Sequence, residues 1–288
     1  MPYAFLPTDD SVAEAAARVA REEAEGALRA ARGDGPLGPR VHEMRKAVKK
    51  LRGLLRLLRP VMPGARAEDA ALRDAGRVLA SLRDAAVVLA TAERASQGMP
   101  EGRRGVLLSP FRRAAEAAAG ASGADLGAFA GAMEGLVGRI PGWRVERDGW
   151  KALAPGLRAT WGAARAALRE ARADPAPEAL HEWRKRVKDH WYQARLLAPM
   201  WPEMMAAQVA AADDLGERLG RANDLAVLRE RLDGAGLDGA LRDEAALAVA
   251  ALYGEEVAAA FPLGERLLAE RPRALARRWG AWWALRGG

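Results

Sequence analysis

Two short stretches carry the reactive side chains of this sequence: HEMRK at 42–46 and HEWRK at 181–185, each followed by lysines and arginines at helical spacing. On a wheel of 100° per residue, His42, Arg45, Lys46, Lys49 and Arg56 lie within roughly 60° of His42, with Arg52 just beyond. His181, Arg184, Lys185, Lys188 and Arg195 repeat the arrangement. The segments upstream add Arg18, Arg29 and Arg32 on one face and Arg158, Arg165, Arg169 and Arg172 on another. A merely solvated helix mixes signs through i,i+4 pairs, yet Glu25 is the one clear acidic member of the Arg18 set. Stacked like charges repel by about 0.2–0.5 kcal/mol per pair. Such ridges are therefore expected to be neutralised by an anion, with arginine forks and lysine point charges gripping phosphate oxygens. His42 and His181 open the two faces. A polyanion beside them favours imidazolium, so binding is expected to strengthen at mildly acid pH.

Other chemistries fail on the same residues. A zinc-protease HExxH needs a second histidine where Lys46 and Lys185 stand. The phosphoacceptor box of a histidine kinase needs a proline where Ala47 stands, and no Gly-rich nucleotide-binding region follows. There is no Walker A sequence and no GxSxG. With no cysteine and three histidines, thiolate sites and His-rich metal centres are excluded. Asp84 and Asp224 are expected to be structural, at helix–helix contacts. His190 falls on the apolar side of its segment and is expected in the core. The reading is a binding protein without turnover, metal or cofactor.

The elements that position these residues are helices. One isoleucine, three threonines and three tyrosines leave little for strands, while Ala, Leu, Arg and Glu dominate. Gly and Pro clusters bound helices near 10–32, 40–59, 103–121 and 124–139, with one long helix expected from Gly64 to about 96. The same punctuation restarts with helices near 152–173 and 178–198. The restart is a duplication. Residues 41–60 match 180–199 at an offset of 139, while Arg18, Leu79 and Asp84 match Arg158, Leu219 and Asp224 at 140. The one-residue change falls in proline-rich loops, where a deletion costs little. The expected architecture is all-α, with a repeat in 1–148 and another in 149–288 related by a pseudo-twofold axis. No targeting segment or membrane span is read, which gives a soluble cytoplasmic protein. The 288 residues carry 45 Lys and Arg against 38 Asp and Glu, a formal charge of +7 that suits an anionic partner.

The doubled His-x-x-Arg-x-x-x-Lys pattern, with a Leu-x-x-x-x-Asp helix after each copy, resembles the CHAD family, the conserved histidine α-helical domains. His42, Arg45, Lys49, Lys50 and Arg52 match its first motif, and His181, Arg184 and Lys188 match its second; Asp189 and Trp191 stand where later cations are expected. The resemblance covers roughly 10–285. It implies two pseudo-symmetric four-helix bundles around a basic central channel, binding of inorganic polyphosphate and association with polyphosphate granules. All eighteen basic residues on the four faces are then candidate polyphosphate ligands. Nucleic-acid binding is the alternative, although no zinc knuckle, RRM motif or aromatic-interleaved basic patch is present.

Overall fold

The computed structural model describes residues 3–120 and 123–286, and among these every regular element is helical. The first half contains α1 (Val12–Arg32), α2 (Leu37–Leu58), α3 (Ala65–Val78), α4 (Ala80–Ala95), α5 (Glu101–Gly120) and α6 (Gly123–Arg139). The second contains α7 (Gly149–Ala173), α8 (Pro177–Leu197), α9 (Pro202–Leu232), α10 (Gly239–Leu267) and α11 (Pro272–Ala284). The expected end of one helix at residue 121 lies outside the described residues. Helix starts follow local chemistry. The Ser11 hydroxyl accepts the Glu14 N–H at 3.1 Å, the Asp238 carboxylate accepts that of Leu241 at 3.0 Å, and prolines open α8, α9 and α11.

Helices α1, α2, α3 and α6 pack in a ring of four, as do α7, α8, α9 and α10, with α11 laid on α7. The rings meet where α2 crosses α7 and α8, and the α4–α5 hairpin reaches over α9 and α10. The largest core draws on both halves, joining Leu51, Leu54 and Leu58 to Leu157, Trp161 and Trp279. A second core places Val88 and Phe111 of the hairpin against Leu225 and Leu228.

Close approach at the junction is possible because two residues lack a side chain. A Cβ on Gly156 would sit 1.7 Å from the Leu57 carbonyl oxygen, and one on Gly53 would sit 2.7 Å from the Tyr192 Cβ. His190 is fully buried, as expected, with its ring 4.5 Å from that of Trp161 and 5.6 Å from that of Trp279. Burial pushes its pKa down to about 3, so it is a neutral packing residue. Helix α10 is long and apolar enough, by length and composition, to cross a membrane. Here it lies along α9, with Glu256 ion-paired to Arg221 and Arg218.

One expected helix divides. Instead of a continuous helix from Gly64 to about 96, the chain breaks at Leu79 (φ −92°, ψ 1°), although neither Gly nor Pro stands there. Its counterpart in the second half, α9, runs unbroken through Leu219. Leu79 caps the start of α4, and Arg45 Nη1 donates to its carbonyl at 3.2 Å. A side chain from a different helix thus braces the chain at the break.

Candidate polyanion-binding cleft

Where α2 and α8 face the α4–α5 hairpin and α9, a cleft of about 700 Å³ opens. Arg45 enters it from α2, Asp84 from α4, His181 and Arg184 from α8, and Asn223, Asp224 and Arg231 from α9. Val87, Val88, Phe111 and Val227 supply an apolar wall. Arg45 and Arg184 are duplicate counterparts, as are Asp84 and Asp224, so each half contributes one arginine and one aspartate.

Each cation is held by its packing. Arg45 is anchored through Leu79. Arg184 lies over Gly220 of α9, where a Cβ would sit 3.0 Å from its Nε, and that buried Nε has no hydrogen-bond partner among the described residues. The His181 Nδ1–H donates to the Asn223 side-chain oxygen at 2.6 Å. Burial lowers the His181 pKa below its ordinary value of 6.5, with Lys185 and Arg184 pushing the same way against the Asn223 hydrogen bond. The cleft therefore holds a neutral imidazole at neutral pH.

That fixes a pH dependence. A bound polyanion favours imidazolium and raises the pKa, so binding takes up a proton and affinity rises as pH falls between the free and bound values. The limit for one linked proton is about tenfold per pH unit. Affinity for a polyanion at pH 7.5 and 5.5 is expected to differ less in His181→Gln than in the unmodified chain; equal slopes would remove His181 from the site.

Of the eighteen predicted ligands only Arg45, His181 and Arg184 line the cleft. His42, the counterpart of His181, is exposed and does not. The expected ridge of unpaired cations is corrected. Arg18 pairs with Asp9 and Glu22, Arg32 with Glu134, Lys46 with Glu43, and Arg52 with Asp69. Arg56 joins Asp69 to Asp189, Arg172 pairs with Glu265, Lys185 with Glu182, and Lys188 with Asp213 and Glu217. Most of these carboxylates lie on other helices, where a wheel drawn for one helix cannot see them. Arg195 stacks over Trp191, with its guanidinium carbon 4.8 Å from the ring centroid. Arg29 is exposed, and Lys49 is half-buried on α2 outside the cleft lining.

One further reading changes. Asp84 and Asp224 face the cleft rather than a helix–helix contact, with Asp84 exposed and Asp224 half-buried. Trp161 and Tyr192, whose positions fall on or near the basic faces, are buried packing residues, as aromatics at helical spacing usually are. Asn223 and Arg231 are absent from the expected set. The doubled Leu-x-x-x-x-Asp spacing already pointed to the stretch of α9 that carries them. Arg158, Arg165 and Arg169 also leave the expected channel. Helix α7 packs behind α8, and these three line a separate groove with Arg271 and Arg273.

Fold and cleft together define a protein whose regular elements are all helical among the described residues, with a cationic pocket lined from both halves of the chain. The model of the CHAD domain matches residues 11–233, and the chain belongs to that family, which is associated with polyphosphate binding. Among solved structures, PptA from Streptomyces chartreusis is similar at 16% identity and a TM-score of 0.62, covering 88% of this chain and 98% of that one. The CHAD domain from the plant Ricinus communis is similar at 20% identity and a TM-score of 0.53, covering 99% and 97%. No curated protein sequence matches the chain.

Proposed function

We propose that this protein binds inorganic polyphosphate in the cleft between its halves, without turning it over. The observation that carries the reading is the convergence of Arg45 and Arg184, duplicate counterparts from α2 and α8, on one cavity with His181 and Arg231. Arginine forks match phosphate oxygens, and a partly desolvated wall strengthens each charge-assisted bond. Asp84 and Asp224 offset part of that charge, so a single phosphate gains less than a chain long enough to reach cations outside the cleft. Exposed ion pairs such as Lys46–Glu43 contribute about 0–1 kcal/mol and exchange readily for phosphate. The same binding would gather the chain onto polyphosphate granules in the cytoplasm.

The test is calorimetric titration with long-chain polyphosphate, then with single-stranded and duplex DNA of equal charge, at two salt concentrations. Polyphosphate is expected to bind with a steep salt dependence and to resist displacement by either DNA. Equal affinity for all three would replace this reading with a generic basic surface, and no binding would overturn it.

A further inference from the structure

The groove between α7 and α11 differs from the cleft in composition. Its volume is about 730 Å³, and its lining is Arg158, Arg165, Arg169, Arg271 and Arg273 with Ala159, Gly162 and Pro272. No carboxylate lines it, whereas Asp84 and Asp224 line the cleft. Four of its arginines, Arg158, Arg169, Arg271 and Arg273, are exposed and form no ion pair with a described carboxylate. Five like charges held together repel one another unless a counter-anion is present.

The groove is built, not incidental. The Trp161 indole N–H donates to the Glu270 carbonyl at 2.8 Å, and Arg165 Nη1 donates to the Ala269 carbonyl at 3.1 Å and to that of Glu270. These bonds fix the turn before α11 against α7. The first turn of α11, with the positive end of its dipole, becomes one wall and the Arg158–Arg165–Arg169 face the other. Gly162 adds no side chain to the floor, and there is room for one, since a Cβ there would meet only Pro272 Cγ at 3.8 Å, an ordinary contact.

The duplication supplies an internal comparison. Arg158 corresponds to Arg18, Gly162 to Glu22 and Arg165 to Glu25 at the offset of 140. In the first half Asp9 and Glu22 neutralise Arg18; in the second, Glu22 and Glu25 are replaced by Gly162 and Arg165. The same helical face is thus satisfied internally in one copy and left cationic in the other.

We propose that the α7–α11 groove is a second anion-binding site, separate from the cleft, that takes a short linear phosphate chain. Several forks within one groove match successive phosphoryl groups better than a single anion, and the lining has no aromatic side chain on which a nucleotide base could stack. The proposal does not depend on the cleft binding anything.

The probe is inorganic tripolyphosphate, titrated calorimetrically onto the full chain, with long-chain polyphosphate as a second arm. Arg158→Gln/Arg271→Gln/Arg273→Gln removes three forks and leaves Arg165 to hold the turn. Gly162→Glu restores the first half's acid four residues after Arg158 while keeping every arginine. Tripolyphosphate affinity is expected to fall about 100-fold or more in the triple variant. It should also fall clearly in Gly162→Glu and persist in Arg45→Gln/Arg184→Gln. Loss in the groove variants but not the cleft pair supports the groove, whatever becomes of the cleft. No tripolyphosphate binding, or binding unaltered in the folded Gly162→Glu variant, overturns it. If long-chain polyphosphate alone loses affinity in the groove variants, the groove guides a chain held elsewhere and the independent site is refuted.

Discussion

Replacing Arg45 and Arg184 together with glutamine is expected to weaken long-chain polyphosphate binding by about 100-fold, since each removes a charge-assisted contact of about 1.5–3 kcal/mol. The salt dependence should become shallower, because fewer counterions are released when fewer cations engage the chain. The two side chains have different structural duties. Arg45 also donates to the Leu79 carbonyl at the α3–α4 break, so its loss costs some stability, about 0.5–1.5 kcal/mol for one hydrogen bond. Arg184 has a buried Nε without a described partner, and its replacement should cost less. Calorimetry beside a melting curve separates the effects. Binding should fall by orders of magnitude in a variant that still melts cooperatively. Full affinity in the double variant would place the ligand outside the cleft.

The second large effect is purely structural. Gly156→Ala adds a methyl group 1.7 Å from the Leu57 carbonyl oxygen and 2.9 Å from its Cα. Those atoms belong to the backbone of α2, so no rotamer change relieves the clash, and α7 must move off α2. Overpacking of this kind costs about 3 kcal/mol or more even though alanine is the better helix former. For a chain of this size the melting temperature is expected to fall by on the order of 10 °C. The affected contact sits beside the junction of the two rings, so polyphosphate affinity should fall as well. A melting temperature unchanged within 2–3 °C, about 1 kcal/mol, would mean that α2 and α7 do not approach so closely.

The helical content and most boundaries were legible because they depend on local chemistry: few β-branched residues, and prolines and glycines between helices. The break at Leu79 was not legible, since no residue there disfavours a helix. Its evident support is Arg45, more than thirty positions upstream. The basic faces were legible as faces, but the ion pairs that occupy many of their cations were not. Asp69 engages Arg52, Arg56 and Arg59 from α3, and Asp9 folds back onto Arg18, neither of which a helical wheel can anticipate. Among the cleft residues, the repeat identified Arg45, Arg184, Asp84 and Asp224. It could not tell that His181 would turn inward toward Asn223 while His42 stayed exposed. The α7–α11 groove needs Arg271 and Arg273, which lie beyond the matched repeat, so only the folded chain brings them to Arg158.

The Arg56–Asp189 pair has a consequence for how the chain emerges from a ribosome. These residues are 133 positions apart, and Asp189 is only 6% exposed, with burial pushing its carboxyl above the ordinary range against the pull of Arg56 and Arg186. At synthesis rates of ~5–20 residues per second, α2 waits on the order of 10 s for the helix that neutralises Arg56 and covers its leucines. The first half therefore emerges with an apolar seam open, its packing against the second half starts only once α8 has cleared the exit tunnel, and the shared core closes when α11 brings Trp279 to it.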